Sequence, residues 1–149
     1  PRTSSAASDV YKRQNRTYEV GMSEISIRER CGLLAYYPLA AGALSGKYRG
    51  GQMPKNARMT LFKGWERMIN PLAMKAYDEY YNLAKEYNMT MVQLAQAFVN
   101  SRPFVTSNII GATTMDQLKE NIGSIDKELT NEMMEKINLI HNSNPNPSP

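Results

Sequence analysis

The 149-residue sequence holds one cysteine, Cys31, and one histidine, His141. A single cysteine excludes an internal disulfide framework and a multi-cysteine metal site. A single histidine excludes a multi-histidine metal centre. Placed at the start of a polar tail, His141 is also a poor base for a hydrolytic triad. Long apolar runs are lacking. The longest uncharged stretch of this kind, Gly32 to Leu44, has 13 residues and contains Pro38. A membrane-spanning helix takes roughly 17–25. Excess charge is lacking too: 18 Lys+Arg against 14 Asp+Glu leave +4. That balance suits an anionic ligand and is too weak to indicate a nucleic acid partner. What is present is ordinary globular composition, 42% hydrophobic and 21% charged, in a length that allows one domain. Ten methionines supply soft core filler.

Residues 1–14, PRTSSAASDVYKRQ, are small and polar with no apolar periodicity. They are read as an adaptor-derived or frayed segment outside the fold. Asn15 to Arg30 is predicted as a short helix with Val20, Met22, Ile25 and Ile27 as its apolar positions, and Gly32 can end it. Leu33 to Tyr37 is a continuous apolar run that suits a strand buried on both faces, closed by Pro38. Loop follows to about Met68. It carries Lys47, Arg49, Lys55, Arg58, Lys63 and Arg67 against one acid, Glu66. So long a loop in a compact domain is usually functional or disordered.

Asn70-Pro71 predicts a helix start, with the helix running to about Glu86 and Leu72, Met74, Tyr77, Tyr81 and Leu83 among its apolar positions. Thr90 and Gln93 form a capping box for the next helix, whose stripe is Leu94, Ala95, Ala97, Phe98 and Val99. Val105 to Ile110 reads as a second strand. Thr114 and Gln117 form another capping box, opening a helix with Leu118 and Ile122 inward. A last helix starts near Thr130, and residues 143–149 are read as a disordered tail. Two strands separated by helices indicate an α/β parallel architecture. Two strands cannot close a barrel, so residues 15–142 read as part of something larger.

Two places suit chemistry. In the loop after the first strand, Gly42 and Gly46 allow close backbone approach, while Ser45 and Lys47 supply donors. A flexible surface loop has the same composition. After the second strand, Gly111-Ala112-Thr113 leads into a capped helix whose free N–H groups favour an anion. An ordinary strand-to-helix turn reads the same way. Trp65 and Phe62 either touch a ligand or anchor their own loop. No catalytic constellation and no metal-ligand set is visible in the sequence.

YYPLAAGALSGKY, Tyr36 to Tyr48, and IIGATTMDQLKENI, Ile109 to Ile122, resemble the C-terminal part of the aldo-keto reductase family, in its Tas-like bacterial branch. The resemblance extends over roughly Asn15 to Asn142. It implies a cytoplasmic (β/α)₈ barrel enzyme that uses NADP(H) to reduce small carbonyl substrates. Leu33 to Tyr37 and Val105 to Ile110 would be its seventh and eighth strands, with six strands missing. By the same resemblance, Tyr36 stacks on the nicotinamide. Pro38, Leu39, Ala40, Gly42, Leu44, Ser45, Gly46 and Lys47 fold over the pyrophosphate. Gly111, Ala112 and Thr113 hold the 2′-phosphate end, and Gln117, Glu120 and Asn121 contact the phosphate and adenine. Tyr37 stands where the family has Ser or Thr, Ile110 where proline is common, and Gln117 where several branches carry arginine. No residue here matches the family's Asp, Tyr, Lys and His tetrad. The resemblance therefore implies an inactive piece of a reductase, or alternatively a non-catalytic nucleotide-binding subunit of the potassium-channel β type.

Overall fold

The computed structural model describes residues 7–148. Its centre is a parallel sheet of three strands in the order β1-β2-β3: β1 (Ala7–Val10), β2 (Leu33–Tyr36) and β3 (Val105–Asn108). Ala7 pairs with Leu33 and Val10 with Tyr36, while Leu33 pairs with Val105 and Ala35 with Asn108. The α/β parallel class expected from the sequence is present, with one strand more than the two foreseen. Ala7-Ser8-Asp9-Val10 has no strand pattern of its own; it becomes a strand by pairing with β2.

Residues 7–14 therefore do not lie outside the fold, as the sequence suggested; residues 1–6 lie outside the described residues. Tyr11 is fully buried, stacked on Phe98 and edge-on to Phe104. Its hydroxyl donates to Glu19, which also takes Arg16 Nη2 at 2.9 Å. Lys12 and Arg13 are fully buried as well. Lys12 Nζ and Arg13 Nε and Nη1 have no hydrogen-bond partner. Arg13 is held by its Tyr80 ring contact at 4.2 Å and by Nη2 donating to the Met91 carbonyl at 3.4 Å. Burial, with Arg67 nearby, lowers the Lys12 ammonium to about 8.

The segment expected as one helix over 15–30 is a short 3₁₀ turn, Thr17–Glu19, then α1 (Met22–Arg28). Gly21, at φ 92°, separates them. The inward side of α1 is Ser26, hydrogen-bonded to Tyr18. Val20, Met22, Ile25 and Ile27, the apolar positions of the predicted helix, are exposed. β2 ends one residue before the expected Tyr37, whose φ of 61° leaves the extended region.

From Tyr37 to Asn70 the backbone is irregular, as predicted, but it is folded. It contains 3₁₀ turns at Ala40–Ser45, Arg49–Gly51 and Glu66–Ile69, and the one-turn helix α2 (Arg58–Leu61). Then α3 (Pro71–Glu86), α4 (Met91–Asn100), α5 (Met115–Gly123) and α6 (Asn131–Ser143) complete the chain. Asn70 caps α3 by accepting from the Ala73 N–H at 2.9 Å. Thr90 and Gln93 form the reciprocal box on α4. α3 buries Ala73, Ala76, Tyr77, Tyr80, Leu83 and Ala84. Of the apolar positions named from the sequence, Leu72 and Tyr81 face out, 61% and 36% exposed. On α5, Ile122 is likewise exposed.

The tail beyond α6 packs against the body. Arg16 N–H donates to Asn146 Oδ1 at 2.8 Å, and Asn70 Nδ2 donates to the Pro147 carbonyl at 2.7 Å. Ser148 is fully buried beside Met68. The expected disordered tail is thus, over residues 144–148, a strap packed against the start of α3 and the Arg16 segment. Among the described residues no helix is long and apolar enough to cross a membrane.

Candidate functional site

All three strands point the same way, so the segments that follow β2 and β3 emerge side by side. Ligand sites of parallel sheets form at such carboxyl ends. A cavity of about 810 Å³ opens there, within the size range of small-molecule and cofactor pockets. Its β2 side is lined by Tyr36, Pro38, Leu39, Gly42, Ser45 and Lys47, and its β3 side by Gly111, Ala112, Thr113, Gln117, Glu120 and Asn121. Twelve of the fifteen residues singled out from the sequence therefore meet around one cavity.

Ala40, Leu44 and Gly46 do not line it. Ala40 and Leu44 are fully buried in the core. Gly46, at φ 84°, backs onto α4, where a Cβ would lie 3.0 Å from Met91 Sδ. Its role is close packing behind the loop rather than approach to a ligand.

The β2 loop is wound tightly. Tyr37, Ala40 and Ala41 have φ of 61°, 50° and 56°, a region that costs a non-glycine residue roughly 1–2 kcal/mol. Such strain gathers at binding loops. Gly42, at φ 94°, turns the chain beneath the head of Lys47, and a Cβ there would come 3.4 Å from Lys47 Nζ. Ser45 does not offer its proton to the cavity, because its hydroxyl donates to the Gly42 carbonyl at 2.7 Å.

The opposite wall is fixed by α5. Thr114 accepts from the Gln117 N–H at 3.3 Å. The return half of the predicted box is absent: Gln117 Oε1 accepts from the Thr113 N–H at 2.9 Å and the Thr113 hydroxyl at 3.1 Å. Gln117 thereby clamps the turn at Thr113. Asn121 donates from Nδ2 to the Gly111 carbonyl at 3.3 Å.

The sequence reading missed several lining residues: Asn56 and Arg58 from the long segment after β2, Thr90 at the N-cap of α4, and Val92 and Gln96 from α4. The basic bias of the loop was a signal for Arg58, but its return to the cavity depends on the fold. The Arg58 guanidinium lies 5.6 Å from the Trp65 ring, which packs 5.8 Å from Tyr37. Trp65 anchors its own loop and Phe62 faces solvent, 60% exposed. Among the described residues neither Lys47 nor Arg58 pairs with an acid. The cavity so presents two cations against one carboxylate, Glu120, with two tyrosines and a cluster of amides; the net positive charge suits an elongated anionic ligand with an aromatic end. His141 is remote from it, with its imidazole pKa lowered by burial and by Arg16. Among the described residues no three His, Cys, Asp or Glu side chains converge to hold a metal.

Known proteins resemble this chain in sequence and in fold. The chain is 42% identical to Protein tas of Escherichia coli (strain K12) over 139 residues, 93% of this chain and 40% of that protein. It is 36% identical to an aldo-keto reductase of Babesia bovis, over 83% of this chain and 46% of the relative. It is 33% identical to a probable voltage-gated potassium channel subunit beta of Oryza sativa, over 76% of this chain and 36% of the relative. The chain thus spans less than half the length of these curated relatives. In structure it superposes on glycerol dehydrogenase from Gluconobacter oxydans with a TM-score of 0.73 at 21% identity, covering 93% of this chain and 42% of that one. That likeness makes the three-stranded sheet an arc of an incomplete (β/α)₈ barrel. The sequence model of the Aldo/keto reductase family matches residues 11–142, and the chain belongs to that family.

Proposed function

We propose that this chain forms the NADP(H) seat of an aldo/keto reductase whose complete barrel reduces small carbonyl compounds. The observation that carries the reading is the pairing of unneutralised Lys47 and Arg58 with the Gln117 and Asn121 amides across one cavity, beside the Tyr36 ring. The residues fit the group. Tyr36 offers a face for the nicotinamide, and the Pro38–Lys47 loop with Arg58 offers charge for the pyrophosphate. Gly111 to Thr113 and Gln117 lie at the start of α5, whose positive end favours the 2′-phosphate. Glu120 and Asn121, further along the same wall, would contact the adenine. When bound, the cofactor supplies the hydride. This chain's own residues bind it and set the ring face. No residue here is assigned the proton transfer to the carbonyl, so the chain alone is expected to lack turnover.

The test is titration of the 149-residue chain with NADPH, followed by nicotinamide fluorescence, in parallel with a Lys47→Ala/Arg58→Ala variant. Saturable binding that weakens at least tenfold in the variant is expected. Absence of binding at millimolar NADPH overturns the reading. Turnover of a carbonyl substrate by the purified chain overturns its inactivity. A second reading is a non-catalytic nucleotide-binding subunit. It draws on the likeness to the rice and Arabidopsis thaliana proteins named as probable potassium channel β subunits. Both readings expect NADPH binding; carbonyl turnover by the complete protein separates them.

A further inference from the structure

Two successive tyrosines at the end of β2 share one cavity wall, although a strand would hold them apart. Successive side chains of an extended strand point to opposite faces. Tyr36, the last residue of β2, and Tyr37 nonetheless both line the large cavity. Their ring centroids lie 5.3 Å apart, with the planes inclined at 59°, inside the range in which aromatic pairs attract. The cause is the Tyr37 backbone. Its φ of 61° breaks the alternation, and its carbonyl accepts from the Ala40 N–H at 2.9 Å to close the turn. A bulky side chain rarely adopts this region and keeps it only where the surroundings hold it.

The contact that holds the Tyr37 ring comes from the far end of the long segment after β2. The Trp65 ring lies 5.8 Å from it, inclined at 43°. Trp65 is fixed independently of Tyr37. Its carbonyl accepts from the Met68 N–H at 2.9 Å, in the 3₁₀ turn that leads to Asn70 and the capped start of α3. It also packs against the core, and the Arg58 guanidinium lies 5.6 Å from its ring. Trp65 is not among the residues that line the cavity. Three rings thus stand in a row from the base of α3 to the cavity wall. Support runs outward along it, because the anchored ring is Trp65 and the ring at the open end is Tyr36.

We propose that Trp65 is the positioning residue for the nicotinamide end of the cavity. Anchored at the base of α3, it keeps Tyr37 on the wall, and Tyr37 in turn backs the Tyr36 ring that takes the nicotinamide. The inference rests on the reading of the cavity as a dinucleotide seat. Trp65 itself touches no ligand; it acts through Tyr37.

The experiment titrates the 149-residue chain by calorimetry with NADPH and with 2′-phospho-ADP-ribose, which is the same molecule without its nicotinamide. The wild type is expected to favour NADPH by about tenfold, the scale of one stacked ring. Trp65→Leu keeps apolar packing against the core and removes the ring, and is expected to bring the two affinities within about twofold. Trp65→Met serves if that variant does not fold. Trp65→Phe keeps a ring against Tyr37 and is expected to retain a preference of about fivefold. Tyr37→Ser removes the middle ring and is expected to lower the ratio as far as Trp65→Leu does. Adding Trp65→Leu to Tyr37→Ser is then expected to change the ratio no further; a further fall overturns the route through Tyr37. A merely structural role weakens both ligands together and leaves their ratio intact, and that result overturns the proposal. A wild type that binds both ligands equally also overturns it while leaving the seat for the phosphates and adenine standing. A wild type that binds neither overturns both.

Discussion

Gly32 and Thr106 face each other across β2 and β3 so closely that a Cβ on Gly32 would lie 1.6 Å from Thr106 Oγ1 and 2.9 Å from its Cβ. The hydroxyl can rotate away, but the Thr106 Cβ cannot. Gly32→Ala is expected to destabilise the chain by about 1–3 kcal/mol, the usual cost of overpacking. Urea unfolding measures it. Adding Thr106→Gly to the same chain is expected to recover most of the loss.

Lys12 and Arg13 are buried cations without an acid, and a buried unpaired charge is strongly unfavourable. Replacing Lys12 by leucine removes that cost and adds apolar contact. Lys12→Leu is expected to raise stability by roughly 1–4 kcal/mol, as when buried ions give way to apolar side chains. A higher urea midpoint at unchanged slope is the result that supports this.

The same lysine sets a pH dependence. Its folded pKa, about 8, lies below the ordinary 10.5, so the unfolded chain binds more protons between these values. Stability is therefore expected to rise as pH increases through this window, by up to about 3 kcal/mol. Tyr77 and Tyr80 act in the opposite sense. Burial raises both, Tyr80 to about 12, so unfolded tyrosines lose protons first and stability falls above about pH 10. A melting temperature that climbs from pH 7.5 to 9.5 and then turns down fits both effects. In Lys12→Leu the climb should vanish.

The strap after α6 is tied at several points. Asn70 Nδ2 reaches the Pro147 carbonyl, Arg16 N–H reaches Asn146, and Asn144 Nδ2 donates to the Leu72 carbonyl at 2.7 Å. Each neutral hydrogen bond contributes about 1 kcal/mol net. Removing residues 144–149 is expected to cost about 2–3 kcal/mol and lower the melting temperature by several degrees. An unchanged melting curve would show that these contacts contribute little.

At the cavity, Gly42→Ala is the informative single change. Its φ of 94° disfavours any side chain, and the new methyl would press on Lys47 Cε and Nζ. NADPH affinity is expected to fall about five- to tenfold, by displacement of the ammonium, while urea stability drops by about 1 kcal/mol. A stability loss with unchanged affinity would mean that Lys47 keeps its position.

Much of this architecture was legible because local chemistry announced it. Asn70-Pro71 and the Thr90/Gln93 box mark helix starts through backbone N–H groups that need acceptors, a purely local requirement. Leu33 to Tyr36 announced a strand through its apolar run. β1 was not legible, because Ala7 to Val10 extends only in answer to β2. The exposure of the apolar positions of α1 was not legible, since apolar spacing marks a helix face without saying what covers it. At the cavity, the two strand-end motifs carried twelve residues. Arg58 stood out only as one of six bases in the long segment after β2, and Gln96 was hidden among the apolar residues of α4. Their meeting with Asn121 and Lys47 exists only in three dimensions.

The order β1-β2-β3 leaves the far sides of β1 and β3 without a strand neighbour among the described residues, while Ile109 and Ile122 stand exposed near one of them. Two bare ribbons of amide and carbonyl groups are templates for further chains. Association is therefore expected to depend on concentration, with separate chains in dilute solution and edge-to-edge pairing in concentrated solution; light scattering over a dilution series checks it.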